Sequence, residues 1–70
     1  MERRKLSSGN LKAAGYDASS QTLEIEFTNG SVVQYSRVSP EVHRRLMSSA
    51  AASSYFRDNI EDEYTARRVK

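Results

Sequence analysis

Leu23-Glu24-Ile25-Glu26-Phe27-Thr28-Asn29-Gly30-Ser31-Val32-Val33-Gln34-Tyr35 is the stretch that decides the fold. Its first five residues alternate between apolar and acidic, the period-two pattern of a strand with one dry and one wet face, so Leu23, Ile25 and Phe27 are expected to point inward. Asn29-Gly30 marks a hairpin. A two-residue Asn-Gly turn would pair Phe27 with Val32 and bring Gln34 opposite Ile25 on the dry side. A three-residue loop, Thr28-Asn29-Gly30 with Gly30 left-handed, instead pairs Ile25 with Val33 and Leu23 with Tyr35, gathering the apolar side chains on one face. The second register is preferred.

Working outward, Leu11 to Tyr16 reads as a weaker first strand, with Gly15 a bulge or a point of close backbone approach, and residues 17–21 form a polar turn. The residues before it, charged and then Ser-Ser-Gly, contain one large apolar side chain and read as a tail. Downstream, Ser39-Pro40-Glu41 is a helix start: the serine oxygen can accept an orphan N–H, proline needs no donor in the first turn, and glutamate suits the positive end of the dipole. Val42, Leu46 and Ala50 share a face beside Met47, which carries this helix to about Ser49. After the small-residue run 48–54, Phe56, Ile60 and Tyr64 recur at four-residue spacing and predict a second amphipathic helix beginning near Ser54. The expected architecture is α+β: a three-stranded antiparallel meander followed by two amphipathic helices packed on one sheet face, β-β-β-α-α. Residues 10–66 would form one domain between a flexible tail, 1–9, and a basic tail, 67–70.

Composition limits the chemistry. Seventy residues, 37% of them hydrophobic and only six aromatic, can cover one sheet face with one helical layer, so a deep substrate cavity is not expected. The chain has no cysteine, which removes disulfides, thiolate nucleophiles and thiol-rich zinc sites and suits a reducing compartment. No apolar run approaches the roughly 20 residues of a membrane span and no targeting segment is apparent, so a cytoplasmic monomer without a membrane association is expected. The net charge of +2 is a slight bias toward polyanions. Basic residues gather at Arg3-Arg4-Lys5, at His43-Arg44-Arg45 and at Arg67-Arg68 with Lys70, while Asp58, Glu61, Asp62 and Glu63 form an acidic stretch.

Catalytic equipment is missing. His43 is the only histidine, without the further ligands of a zinc site or a nucleophile to activate, and reads as an exposed helix residue. Glu24 and Glu26 on one strand face fit a solvated surface better than an acid–base pair. The glycines are too scattered for a phosphate loop, no serine lies in a Gly-x-Ser-x-Gly context, and the acidic stretch lacks calcium-loop spacing. No catalytic residue, metal or cofactor is expected.

Gly15-Tyr16-Asp17, Thr22-Leu23-Glu24-Ile25-Glu26-Phe27, Gly30, Val33-Gln34-Tyr35, Val38 and Tyr55-Phe56 with Ile60 fall in an order that resembles the KTSC domain over roughly residues 8–66. That family is named for the carboxy-terminal extension of some lysyl-tRNA synthetases and also occurs as free-standing small bacterial proteins. The chain departs from it at Val33-Gln34-Tyr35, where a Tyr-x-Tyr is usual, and at Ser53, where a glycine is usual. The missing catalytic equipment points to a small non-enzymatic binding module, and the resemblance implies RNA as its partner. Arg44, Arg45, Arg67 and Arg68 would then neutralise phosphates while Tyr16 or Tyr55 stacks on an unpaired base. The alternative is a protein-interaction module acting through a sheet edge or the helix pair. Tyr35, Phe56 and Tyr64 are assigned to the core by their periodic placement.

Overall fold

The computed structural model describes residues 3–70. Four strands, β1 (Arg3–Ser8), β2 (Leu11–Asp17), β3 (Thr22–Phe27) and β4 (Val32–Tyr35), are followed by helices α1 (Pro40–Ser48) and α2 (Ala52–Asn59) and a last strand β5 (Ala66–Arg68). The sheet therefore has five strands, all antiparallel and in sequential order, and not the expected three. Both additional strands come from the segments expected to be tails. Arg3–Ser8 pairs with β2 across the Gly9-Asn10 turn, and Ala66–Arg68 pairs with β4. Residues 1–2 of the expected first tail lie outside the described residues.

The central hairpin has the predicted register, Leu23 opposite Tyr35 and Ile25 opposite Val33. Its loop closes through Gly30, whose N–H donates to the Phe27 carbonyl and whose φ of +92° suits a residue without Cβ. Gly15, expected as a bulge or a point of close backbone approach, is in regular register with Glu24, and the bulge in this strand pair falls between Leu11 and Ala13.

One sheet face is covered by both helices. Leu11, Ala14, Leu23, Ile25, Tyr35, Val38, Leu46, Ala52, Phe56 and Ile60 form the core. Phe56 is its centre: its ring meets Phe27 and Tyr35 edge-on at 5.9 and 5.5 Å. Burying such a side chain contributes about 1.5–3 kcal/mol. Helix α1 starts as predicted, the Val42 N–H donating to the Ser39 hydroxyl at 3.3 Å. It ends at Ser48, so Ala50, expected on its apolar face, is exposed beyond the helix. Helix α2 begins at Ala52, earlier than Ser54, and no side chain at its own start caps it. The cap comes from β1: the Ser53 N–H donates to the Ser8 hydroxyl at 3.1 Å, satisfying one of the orphan donors of the first turn. Tyr64, assigned to this helix by its spacing, lies past its end and packs against the core from the following turn.

The other face carries the polar row Arg3, Gly15, Glu24, Gln34, Arg67, each residue directly opposite the next across the sheet. Gly15 offers no side chain, so the Arg3 guanidinium reaches over β2 to Glu24 at 2.6 Å. Gln34 donates to the second Glu24 oxygen at 3.0 Å. Glu24 is 7% exposed although no helix covers this face. The Gln34 and Arg3 hydrogen bonds hold its carboxyl below the usual glutamate range, outweighing the opposing effect of burial.

Candidate functional site

Arg4 is on β1, opposite Ala14, and projects to the helix-covered face at the sheet edge. Helix α1 lies above that edge, and between them is an open groove of about 440 Å³ lined by Arg4, His43, Arg44, Met47 and Ser48. Three of these five side chains are basic or can become so, and none is acidic. The helical spacing places His43, Arg44, Met47 and Ser48 on neighbouring turns, so one flank of α1 supplies four lining residues and β1 the fifth.

His43 is held from below. The Tyr16 ring stacks on the imidazole with centroids 4.6 Å apart and planes 9° from parallel. The Tyr16 hydroxyl in turn donates to the Val38 carbonyl, anchoring the ring to the loop before α1. Burial, and to a lesser extent the Arg4 charge, push the His43 imidazole below its ordinary value of 6.5. His43 makes no side-chain hydrogen bond or ion pair among the described residues, and it is one of the residues that line the groove.

Glu41 moderates the positive charge. It ion-pairs with Arg44 one turn on and accepts from the Arg45 Nε at 2.9 Å. All three side chains are well exposed, so these pairs are weak and exchangeable. Tyr55 is half-buried against the core, beside Arg45.

The six residues singled out from the sequence thus divide. Arg44, Arg45, Tyr16 and Tyr55 lie on or beside α1, whereas Arg67 and Arg68 do not join them. Arg4 and Arg68 occupy the two ends of one cross-sheet row, Arg4, Ala14, Ile25, Val33, Arg68, four strand spacings or about 19 Å apart. Arg67 alternates to the opposite face, in the row of Gln34. A single surface containing all four arginines therefore does not form. Tyr16, expected as an exposed stacking ring, is occupied by His43.

Arg4, His43 and Met47 were not among the expected site residues. Arg4 was hidden in a presumed tail, although Gly-Asn between two chain segments is itself a two-residue hairpin signal. The open sheet face carries no aromatic ring in its polar row, so bases have no stacking platform there.

Comparison with known proteins places the chain among small α+β domains of one kind. Residues 7–64 match the KTSC domain, and the chain belongs to that family. It is 38% identical over 56 residues to an uncharacterized protein of Stutzerimonas stutzeri (strain A1501), covering 80% of this chain and 79% of that protein. The crystal structure of a KTSC domain protein from Yersinia pestis superposes with a TM-score of 0.92 at 28% identity, over 99% of this chain and 97% of the other. The departure at Ser53 now has a location: a Cβ built on Gly9 would stand 2.8 Å from both the Cβ and the hydroxyl of Ser53. Among the described residues no helix is long and apolar enough to cross a membrane, and no group of three or more His, Asp or Glu side chains is placed to hold a metal ion.

Proposed function

We propose that the domain is a non-enzymatic module that binds single-stranded RNA through the groove between β1 and α1. The observation that carries this is the convergence of Arg4, His43 and Arg44, from two elements far apart in sequence, around an open cavity without a carboxylate. Two guanidinium groups present fork-shaped donors suited to phosphate oxygens, and Met47 offers an apolar wall to a sugar or base. Glu41 is a surface partner that phosphates can displace, because exposed pairs of this kind contribute only about 0.3–0.5 kcal/mol. Arg45 and Tyr55 continue the same flank and extend the track along α1, whereas Arg67 and Arg68 belong to another surface.

Nuclear magnetic resonance of the labelled domain, titrated with a short mixed-sequence single-stranded RNA at two salt concentrations, tests this. Amide shifts confined to Arg4, His43, Arg44, Met47 and Ser48, and weakened by salt, are expected. An absence of shifts at low salt overturns RNA binding and leaves a protein partner at a sheet edge or the helix pair as the alternative.

A further inference from the structure

The Tyr16–His43 stack gives the groove a titratable member. We infer that binding of a phosphate backbone in this groove is coupled to protonation of His43, so that the domain holds single-stranded RNA more tightly in mildly acidic solution than at neutral pH. This rests on the reading of the groove as the RNA site and adds its regulation.

The geometry supplies each part of the coupling. His43 lines the groove together with two permanently charged side chains, Arg4 from β1 and Arg44 from α1. Its ring is clamped by Tyr16 of β2, so protonation changes charge without requiring the side chain to move. The carboxylate of α1, Glu41, does not line the groove and pairs with Arg44 and Arg45 instead of His43. In the empty groove a charged imidazole would therefore face like charges, half-buried, with no anion opposite. A phosphate lying between Arg4 and Arg44 removes that penalty and provides an acceptor for the new N–H donor. Imidazole is the side chain whose ordinary titration falls between about pH 5 and 8. The phosphodiester keeps a single negative charge across the same range, so the pH dependence belongs to the protein. Linkage is reciprocal: whatever factor protonation adds to affinity, RNA returns as a rise in the His43 pKa.

The test uses a uridine pentanucleotide, whose base does not protonate in mild acid. Its dissociation constant is measured at pH 7.5 and 5.5, and the His43 ring resonances are titrated with and without it. Affinity about three- to fivefold higher at pH 5.5, with the His43 pKa raised by about 0.7 of a pH unit or more, is the expected result. His43→Gln, which stays neutral, removes the titrating group: whatever its affinity at pH 7.5, it should show no gain at pH 5.5. Amide spectra at both pH values check that each protein remains folded. RNA binding at the groove with the same affinity at both pH values and an unmoved His43 pKa overturns the coupling and leaves the RNA reading intact. No binding at either pH overturns both.

Discussion

The Tyr16 ring lies under the His43 imidazole, 4.6 Å away and within 9° of parallel, while its hydroxyl donates to the Val38 carbonyl. One side chain thereby ties β2 to the loop before α1 and sets the histidine that lines the groove. The residue that looked from sequence like a free base-stacking platform is a support.

Tyr16 substitutions separate these roles. Tyr16→Phe leaves the stack but deprives the partly buried Val38 carbonyl of its donor, at a cost of about 1 kcal/mol. For a domain of this size that lowers the melting temperature by about 4–8 °C. Tyr16→Leu also removes the ring contact and should cost a further 0.5–1.5 kcal/mol or about that much. Thermal unfolding followed by circular dichroism checks the ranking, parent above Phe above Leu.

Acid should weaken the fold through the polar row. The folded Glu24 carboxyl titrates below its ordinary value of 4.5 because Gln34 and Arg3 donate to it. Its contribution is therefore fully present above pH 4.5 and is lost as the pH falls through the folded value. Gly15→Val, which fills the gap that Arg3 crosses, should raise the Glu24 pKa and flatten this acid dependence. Urea unfolding as a function of pH, with the Glu24 carboxyl followed by carbon resonance, measures both.

The hairpin between β1 and β2 depends on a close contact with α2. Gly9 has φ +54°, and an added Cβ would stand 2.8 Å from Ser53. Gly9→Ala should destabilise by about 1–3 kcal/mol, combining left-handed strain with that clash. In a Ser53→Gly background the clash partner is gone, so the same substitution should cost less, and a double-mutant cycle in denaturant gives the difference.

Charge tuning at α1 predicts a gain. Glu41→Gln releases Arg44 and Arg45 and should tighten RNA binding about twofold, the size of one exposed ion pair. The same change removes an acidic residue from the first turn and should slightly lower stability. Affinity and stability moving in opposite directions is a result that general damage to the helix does not give.

The elements that bury a periodic apolar face were legible. Leu23, Ile25 and Phe27 fixed the register with Val33 and Tyr35, and Ser39-Pro40 placed the start of α1. The two outer strands were not, for a physical reason. In β5, Ala66, Arg67 and Arg68 are all exposed: the strand is held by backbone pairing with β4 and leaves no hydrophobic period. In β1 only Leu6 packs on the core, and a register shift between Lys5 and Ser8, with Ser7 at φ +51°, interrupts the alternation. The groove was half legible for the same cause. His43 and Arg44 stand on a predicted helix, but their partner Arg4 is placed by a strand whose sequence reads as a tail.

On the proposed reading the cationic groove, and not basic charge in general, binds RNA. Anisotropy of a labelled single-stranded RNA should be compared across salt for the parent, Arg4→Ala with Arg44→Ala, and Arg67→Ala with Arg68→Ala. Both double variants lose charge only at exposed arginines. The groove pair should lose about tenfold or more in affinity and flatten the logarithmic salt slope by about 1.4, while the β5 pair stays within about twofold of the parent. Equal losses from both pairs, or a parent protein that does not bind at low salt, would contradict the claim.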